Sequence, residues 1–272
     1  MEKLALWKKR IEEKLRALLK PFEPIPLYEA MSYYPLLGGK RIRPLIVCGV
    51  THALGGDLED AVTVGCAVEL LHNYSLVHDD LPALDNDVLR RGKPTCHVVF
   101  GEDMALLAGD ALLTYAFEVL SRPEHYKSLG EKELLFLVRE LAFRSGPMGM
   151  VGGQALDVRG LAGREEISLK KTAQLFVFCF LAGGVVARRQ DILQELETLG
   201  LKFGLLFQMV DDLADKDGFY QVYGDRLLDK IEELRGEYYQ LASRLGLNTP
   251  ELLSVLELAL GGGGGIRTPG GL

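Results

Sequence analysis

The sequence predicts an all-α protein, a single large bundle of about ten or more helices around a central cavity. Three observations lead to this prediction. Apolar residues recur every three to four positions along most of the chain, no stretch alternates convincingly between apolar and polar residues, and no polar linker divides the 272 residues. Helices with one apolar stripe bury that stripe against other helices, so one domain over residues 1–260 is expected.

The individual helices follow from apolar spacing and from the residues that interrupt it. The first helix ends near Pro21, residues 21–26 connect it to a short segment, and 38–44 opens an apolar helix to about residue 54. Asp57 is predicted to cap a long helix that runs to about Asp80, because Pro82 prevents continuation. Residues 81–100 are predicted to form a functional loop. The remaining helical patterns cover 102–120, 131–144, 149–159, 168–188, 191–215, 225–245 and 249–260.

Composition limits the classes of function. The net charge of −7 argues against a nucleic-acid partner, because phosphate backbones require an excess of Lys and Arg. The most apolar run, 175–187, is too short to span a bilayer, so a buried core helix and no stable membrane insertion are expected. Four cysteines without CxxC spacing and a charged N-terminus predict free thiols and a cytoplasmic location. Residues 261–272, GGGGGIRTPGGL, are predicted to be disordered.

Four aspartates lie within nine residues at the C-terminal end of the long helix: Asp79, Asp80, Asp85 and Asp87. A helix C-terminus already carries about half a unit of negative charge, so carboxylates there repel both the helix dipole and one another. We therefore expect a divalent cation to bind at this end.

A second acidic cluster, Asp211, Asp212 and Asp215, ends another apolar helix. Asp211 and Asp215 share one helical face, about 6 Å apart along the axis. A donor set of oxygens alone favours Mg²⁺ over zinc. Together the clusters predict one cavity with metals on opposite walls; the alternative is two solvated acidic helix ends.

Cationic residues occur in two groups. Lys40, Arg41 and Arg43 stand at the start of a helix, where backbone amides also favour anions, and Arg90, Arg91 and Lys93 follow the first acidic cluster. Two metal clusters with two cationic groups predict two diphosphate-like ligands, one bound through metal and one by Lys and Arg alone. A solvated basic turn is the alternative for the first group.

Tyr74 lies just over one helical turn before Asp79, on a wall shared with Ser75 and Leu71. A hydrophobic tail attached to a metal-bound diphosphate would run along this wall, and the ring of Tyr74 would stop it. The alternative is an ordinary core aromatic.

Seven motifs occur in an order that resembles the trans-isoprenyl diphosphate synthases, the polyprenyl synthetase family, and most of all its bacterial farnesyl and geranylgeranyl diphosphate synthases. They are GGKRIRP at 38–44, HDDLPALDND at 78–87, LRRGKPTCH at 89–97, GDALLTYAFEVL at 109–120, GGQALD at 152–157, KT at 171–172 and FQMVDD at 207–212.

The resemblance implies an isoprenoid synthase-like helical bundle, commonly a homodimer, and an Mg²⁺-dependent prenyltransferase that joins isopentenyl diphosphate to an allylic diphosphate. It also implies three Mg²⁺ ions with substrate bound. The implied metal residues are Asp79, Asp85 and Asp211, supported by Asp80, Asp212 and Asp215. The residues implied for the allylic diphosphate are Arg90, Lys171 and Lys216; for isopentenyl diphosphate they are Lys40, Arg43, His72 and Arg91. Thr172 and Gln208 are implied to direct oxygens toward the carbocation.

Tyr74 with Ser75 resembles the farnesyl synthases and predicts a fifteen-carbon product. Three alternatives remain open from the sequence: a geranylgeranyl diphosphate synthase, a terpene cyclase, and a non-catalytic subunit of a heteromeric synthase. The chain departs from the family after Asp215, where KDGFYQVYG leads directly into the next helix. Either Lys216 replaces a lysine of the usual longer loop, or the lid over the site is shortened.

Overall fold

The computed structural model describes residues 2–261, which are helical over most of their length, so the predicted all-α class is confirmed. The α-helices are α1 Glu2–Leu18, α2 Ile25–Leu36, α3 Ile42–Ala53, α4 Leu58–Asp79, α5 Cys96–Phe100, α6 Glu102–Ser121, α7 Glu131–Ser145, α8 Met150–Arg159, α9 Arg164–Ile167, α10 Gln174–Val186, α11 Leu193–Asp215, α12 Phe219–Tyr223, α13 Leu227–Arg244 and α14 Pro250–Leu260. Two short strands, β1 Leu89–Arg90 and β2 Lys93–Pro94, form an antiparallel hairpin in which Leu89 lies opposite Pro94.

The described residues divide into two compact units. The first unit comprises residues 2–48 and 57–138, and the second comprises 49–56 and 139–261. That one domain extends over 1–260 stays a prediction. Disorder was predicted for residues 261–272. Of these, 262–272 lie outside the residues that the structure describes, so this stays a prediction.

The first unit is built around α4, which packs mainly against α6 and also against α1 and α2. The predicted N-cap is confirmed, because the Asp57 carboxylate accepts hydrogen bonds from the backbone N–H groups of Glu59 and Asp60 at 2.8 and 3.0 Å. Asp60 is buried and accepts the N–H groups of Lys127 and Ser128, each at 2.8 Å. This carboxylate fixes the connection between α6 and α7 to the start of α4.

The second unit is built around α10, whose residues from Leu175 to Val186 are all buried. It packs against α11, and α11 packs in turn against α13 through a cluster of aromatic rings that includes Phe176, Phe203 and Tyr238. By length and composition alone, 164–186 and Glu102–Ser121 could each cross a membrane, but 72% of the apolar window of the former is buried. That burial is typical of a core helix, as the sequence predicts.

Three boundaries differ from the sequence prediction. Helix α2 begins at Ile25, inside the expected connector. A proline is tolerated in its first turn, because the N–H group that proline lacks would have no partner within the helix. The expected loop over 81–100 contains the hairpin and α5. The helix expected from residue 168 begins at Arg164 and is a π-helix over Ser168–Ala173.

Candidate active site

The turn after α4 brings two of the predicted metal residues together. The backbone N–H of Asp85 donates to the carbonyl oxygen of Asp79 at 2.9 Å, and the N–H of Asn86 donates to the carbonyl of Leu81 at 3.2 Å. The chain therefore folds back after the helix, so that the exposed Asp85 stands beside the half-exposed Asp79.

Asp80, which follows Asp79 in the chain, is bound differently. Its carboxylate is fully buried and accepts two hydrogen bonds from Arg90, at 2.7 and 2.5 Å, and one from the hydroxyl of Tyr34. These contacts raise the pKa of Arg90, and burial together with Asp80 raises the pKa of Tyr34. The structure thus pairs a predicted metal residue with a predicted substrate residue.

Three of the residues predicted to hold isopentenyl diphosphate lie close together. Arg43 Nη1 is 3.2 Å from His72 Nε2, and Arg91, in a left-handed conformation on the hairpin turn, donates to the carbonyl of Gly38. Burial and the charge of Arg43 lower the pKa of His72 well below its usual value. His72 is therefore neutral and accepts the Arg43 hydrogen bond. Lys40 is exposed on the turn that follows Gly39.

Arg41 corrects the sequence interpretation. Its guanidinium is buried, pairs with Glu12 at 2.8 Å and with Glu69 at 2.7 Å, and also donates to the carbonyl of Pro35. Two carboxylates already neutralise this charge, so the prediction that Arg41 contributes to an anion site is wrong. The partners lie in α1 and α4, and the local sequence does not reveal that proximity.

The end of α11 repeats the arrangement at the end of α4. Asp211 and Asp215 are exposed, whereas Asp212 is buried and accepts hydrogen bonds from Arg164 at 3.0 and 2.7 Å. Asp212 also accepts the backbone N–H of Phe219 at 2.7 Å. Sequence reasoning missed Arg164, because it belongs to none of the motifs.

The turn after α11 is tight. Lys216 is exposed in a left-handed conformation with φ 54°, and Gly218 has φ 50°. A Cβ on Gly218 would lie 2.2 Å from Asp212 Oδ2, so this position has no room for a side chain. The turn therefore closes directly over the buried carboxylate.

Lys171 and Thr172 both lie in the π-helix, a rare form that often marks functional sites. A Cβ on Gly153 of α8 would be 2.3 Å from the backbone nitrogen of Lys171, so the absence of a side chain lets α8 pack directly on the π-helix. Lys171 Nζ pairs with Asp157 at 2.7 Å, and Thr172 donates to Gln208 Oε1 at 3.1 Å. The GGQALD motif thus supports the lysine through both its second glycine and its aspartate.

Tyr74 is only 6% exposed, and its ring meets the ring of His78 edge to face, with centroids 5.7 Å apart. Burial, aided by the charge of Asp79, raises the pKa of Tyr74 to about 12. Ser75 donates to the carbonyl of His72 at 2.8 Å. Tyr74 is therefore a fixed, uncharged ring below the first acidic cluster.

Among the described residues no three His, Cys, Asp or Glu side chains form a ready metal-binding group. The predicted ligands occur instead two by two. The backbone of Asp85 is bonded to that of Asp79 in the first unit, and Asp211 and Asp215 lie about one turn apart on α11 in the second. Mg²⁺ is usually held by one or two carboxylates together with substrate phosphates and water. These pairs fit that mode of binding.

Comparisons with known proteins give the family. The polyprenyl synthetase family profile matches residues 25–235. Farnesyl diphosphate synthase of Bacillus subtilis is 41% identical over 251 residues, covering 89% of this chain and 84% of the relative. A plant relative from Arabidopsis thaliana, the large subunit 1 of a heterodimeric geranylgeranyl pyrophosphate synthase, is 43% identical over 203 residues, covering 71% of this chain and 55% of the relative.

Solved structures agree with the family profile. The apo crystal structure of a farnesyl/geranylfarnesyl diphosphate (FPP/GFPP) synthase from Zymomonas mobilis superposes with a TM-score of 0.86 at 34% identity, covering 94% of this chain and 96% of the other. The predicted resemblance and the predicted class of enzyme, a prenyltransferase, are confirmed. The chain belongs to the polyprenyl synthetase family.

Proposed function

We propose that the protein is a short-chain polyprenyl diphosphate synthase that condenses isopentenyl diphosphate with dimethylallyl or geranyl diphosphate, head to tail, to give farnesyl diphosphate. The observation that carries the proposal is the repeated arrangement at the ends of α4 and α11. At each end an arginine holds one buried aspartate, Asp80 or Asp212, and exposed or half-exposed aspartates flank it. The names of the bacterial relatives support the same reaction.

Mg²⁺ would be held by Asp79 and Asp85 at one end and by Asp211 and Asp215 at the other, with three ions in the substrate complex. When bound, it neutralises the allylic diphosphate and makes this group a better leaving group. Asp80 and Asp212 support these ligands by fixing the helix ends.

Isopentenyl diphosphate binds without metal to Arg43, Arg91 and Lys40, with His72 beside them. Because His72 is neutral and accepts from Arg43, it orients that guanidinium without adding charge. Two arginines provide directed donors to phosphate oxygens. These residues bind only the diphosphate of isopentenyl diphosphate. Its carbon–carbon double bond therefore stays available to act as the nucleophile.

The condensation breaks the allylic C–O bond, and the diphosphate leaves with the bonding electrons. Lys171 and Arg90 share the charge of the leaving group, while the oxygens of Thr172 and Gln208 stabilise the allylic cation. The double bond of isopentenyl diphosphate supplies the electron pair for the new C–C bond. A proton is then lost to the departed diphosphate, which restores a double bond.

We further propose a homodimer that works in the cytoplasm. Four apolar residues of α5 and α6 are 47–51% exposed, and apolar surface of this kind marks protein–protein contacts: Val98, Val99, Leu106 and Leu107. The four free cysteines are all buried, which agrees with a reducing compartment.

The test is an assay of the purified protein with isopentenyl and dimethylallyl diphosphates, with Mg²⁺ and with EDTA, followed by chromatography of the products. We expect a fifteen-carbon product that requires the metal. Asp79→Asn and Asp211→Asn should each lower kcat by about a hundredfold or more, whereas Asp229→Asn, on the exposed face of α13, should have no effect. Absence of any condensation by the folded protein, with dimethylallyl diphosphate or with geranyl diphosphate in its place, would contradict the proposal.

A further inference from the structure

The carboxylate of Asp212 has no acceptor capacity left for a metal. Oδ1 accepts Arg164 Nη2 at 2.7 Å and Gln208 Nε2 at 2.8 Å, and Oδ2 accepts Arg164 Nε at 3.0 Å and the N–H of Phe219 at 2.7 Å. The side chain of Asp212 is only 6% exposed. Four donors, two of them from one guanidinium, fix both oxygens in place.

This fixed carboxylate determines the orientation of Gln208. An amide side chain has one donor end and one acceptor end, and the NH₂ of Gln208 is held by Asp212. The carbonyl oxygen of Gln208 consequently faces Thr172, whose hydroxyl donates to it at 3.1 Å. With the amide reversed, its oxygen would face the carboxylate, and two acceptors would repel each other.

We propose that Arg164 is a positioning residue for the condensation: through Asp212 it holds Gln208 with its oxygen toward Thr172, so that a negative dipole and not an N–H group is presented beside the reacting carbons. This inference rests on the proposed function. The Arg164 side chain donates to Asp212, and Asp212 in turn accepts from Gln208. Arg164 lies outside every motif of the sequence analysis.

The surroundings explain why an arginine stands there. A buried carboxylate that loses its partner is strongly destabilised, so a charge of opposite sign is required. Only a planar guanidinium matches both oxygens at once. Gly218 leaves room for the ion pair, because a Cβ there would lie 2.5 Å from Arg164 Nε and 2.2 Å from Asp212 Oδ2.

The experiment compares Arg164→Met with Arg159→Met, a matched control at an exposed arginine of α8. We expect Arg164→Met to lower kcat by about tenfold to a hundredfold, the loss typical of a misplaced group. The KM for isopentenyl diphosphate and the Mg²⁺ concentration for half-maximal activity should stay at the values of the control. A kcat equal to that of Arg159→Met would overturn the proposal.

A double variant separates positioning from stability. Arg164→Met leaves a buried charge and should lower the Tm, and Asp212→Asn added to it removes that charge and should restore the Tm. The kcat should remain low, because an asparagine amide can donate to Gln208 and no longer fixes its direction. Recovery of both Tm and kcat would assign Arg164 a structural role only. If Arg164→Met does not fold, Arg164→Lys, which keeps the charge but cannot donate to both carboxylate oxygens at once, replaces it, and a kcat equal to that of Arg159→Met would overturn the proposal.

A measurement on the substrate-free protein completes the test. The side-chain NH₂ resonances of Gln208, assigned by ¹⁵N NMR through loss of signal in Gln208→Glu, should shift in Arg164→Met and not in Arg159→Met. Unchanged resonances would contradict the proposal. An inactive wild type with the expected NMR shift would reject the proposed function and leave the Arg164 contact intact.

Discussion

Asp80 and Asp212 are the second members of two Asp–Asp pairs, and their surroundings explain why neighbouring carboxylates differ in function. Each is buried and held by an arginine, Arg90 or Arg164, through two hydrogen bonds. The sequence predicts that the acidic clusters bind cations, because like charges at a helix end require a positive ligand. It does not distinguish the held aspartate from its neighbour, since that depends on arginines 10 and 48 residues away.

Tyr74 gives a test at the residue scale. In Tyr74→Ala the wall below Asp79 opens, so we expect products longer than fifteen carbons, at a cost to stability of about 3 kcal/mol for the deleted ring. Chromatography of the products after dephosphorylation measures the change, with Tyr28→Ala on α2 as a control that should leave product length unaltered. An unchanged fifteen-carbon product from an active Tyr74→Ala protein would show that the tail stops elsewhere.

His72 predicts a pH dependence of stability. Its pKa in the folded protein is lowered, so the unfolded chain takes up a proton first as the pH falls below about 6.5. The free energy of unfolding is therefore undiminished above that pH and falls below it, by at most about 1.4 kcal/mol per pH unit for one proton. Arg43, Arg91, Arg90 and Arg41 all oppose protonation.

Urea unfolding at pH 7.5, 6.5 and 5.5 measures this dependence. His72→Gln keeps an acceptor for Arg43 and should flatten the decline between pH 6.5 and 5.5, whereas His97→Gln should retain it. Equal slopes in wild type and His72→Gln would mean that the pKa of His72 is the same in the folded and the unfolded protein, and would contradict the prediction.

At the scale of elements, the π-helix over Ser168–Ala173 was not predictable. The sequence indicates a helix there, because apolar residues recur at helical spacing. A π-helix has about one extra residue per turn, and over a single turn this changes the spacing too little to distinguish it from an α-helix. In the structure this segment packs against α8, whose Gly153 lies against the backbone of Lys171, and the local sequence does not reveal that contact. Helix limits were predicted well where a cap or a proline marks them, as at Asp57 and Pro82.

Gly153→Ala tests the contact between α8 and the π-helix. The added Cβ would lie 2.3 Å from the nitrogen and 2.7 Å from the Cα of Lys171, so one helix must shift. We expect a loss of about 1–3 kcal/mol in the free energy of unfolding together with a lower kcat. Gly236→Ala on α13, where a Cβ meets nothing within 4 Å, should instead raise stability by about 0.5–1 kcal/mol. Similar stability for the two variants would contradict the contact.

At the scale of the whole molecule, the helical class and the family were predictable, because periodicity and motif order extend over most of the chain. That the two acidic clusters share one cavity stays a prediction, since each belongs to a different unit. The pairing of Arg41 with Glu12 and Glu69 was not predictable, because it joins the residue before α3 to α1 and α4.

The proposed homodimer gives the test at this scale. Leu106 and Leu107 are 48% and 47% exposed on α6, so lysines at both positions should favour the monomer. Light scattering after gel filtration should give twice the chain mass for the wild type and for the control Val222→Lys, and the chain mass for the double variant. A monomeric wild type would contradict the prediction.

The turn after α11 also limits how this chain can be redesigned. The hydrogen bond from the Phe219 N–H to the Asp212 carboxylate closes the chain from 212 to 219 into a ring, and Gly218 lies against that carboxylate with no room for a side chain. Extra residues placed before Phe219, for instance to insert a longer loop, would move its N–H away from the Asp212 carboxylate and open the ring. The same insertion after Tyr223 leaves the ring closed, so that junction is where such a graft should begin.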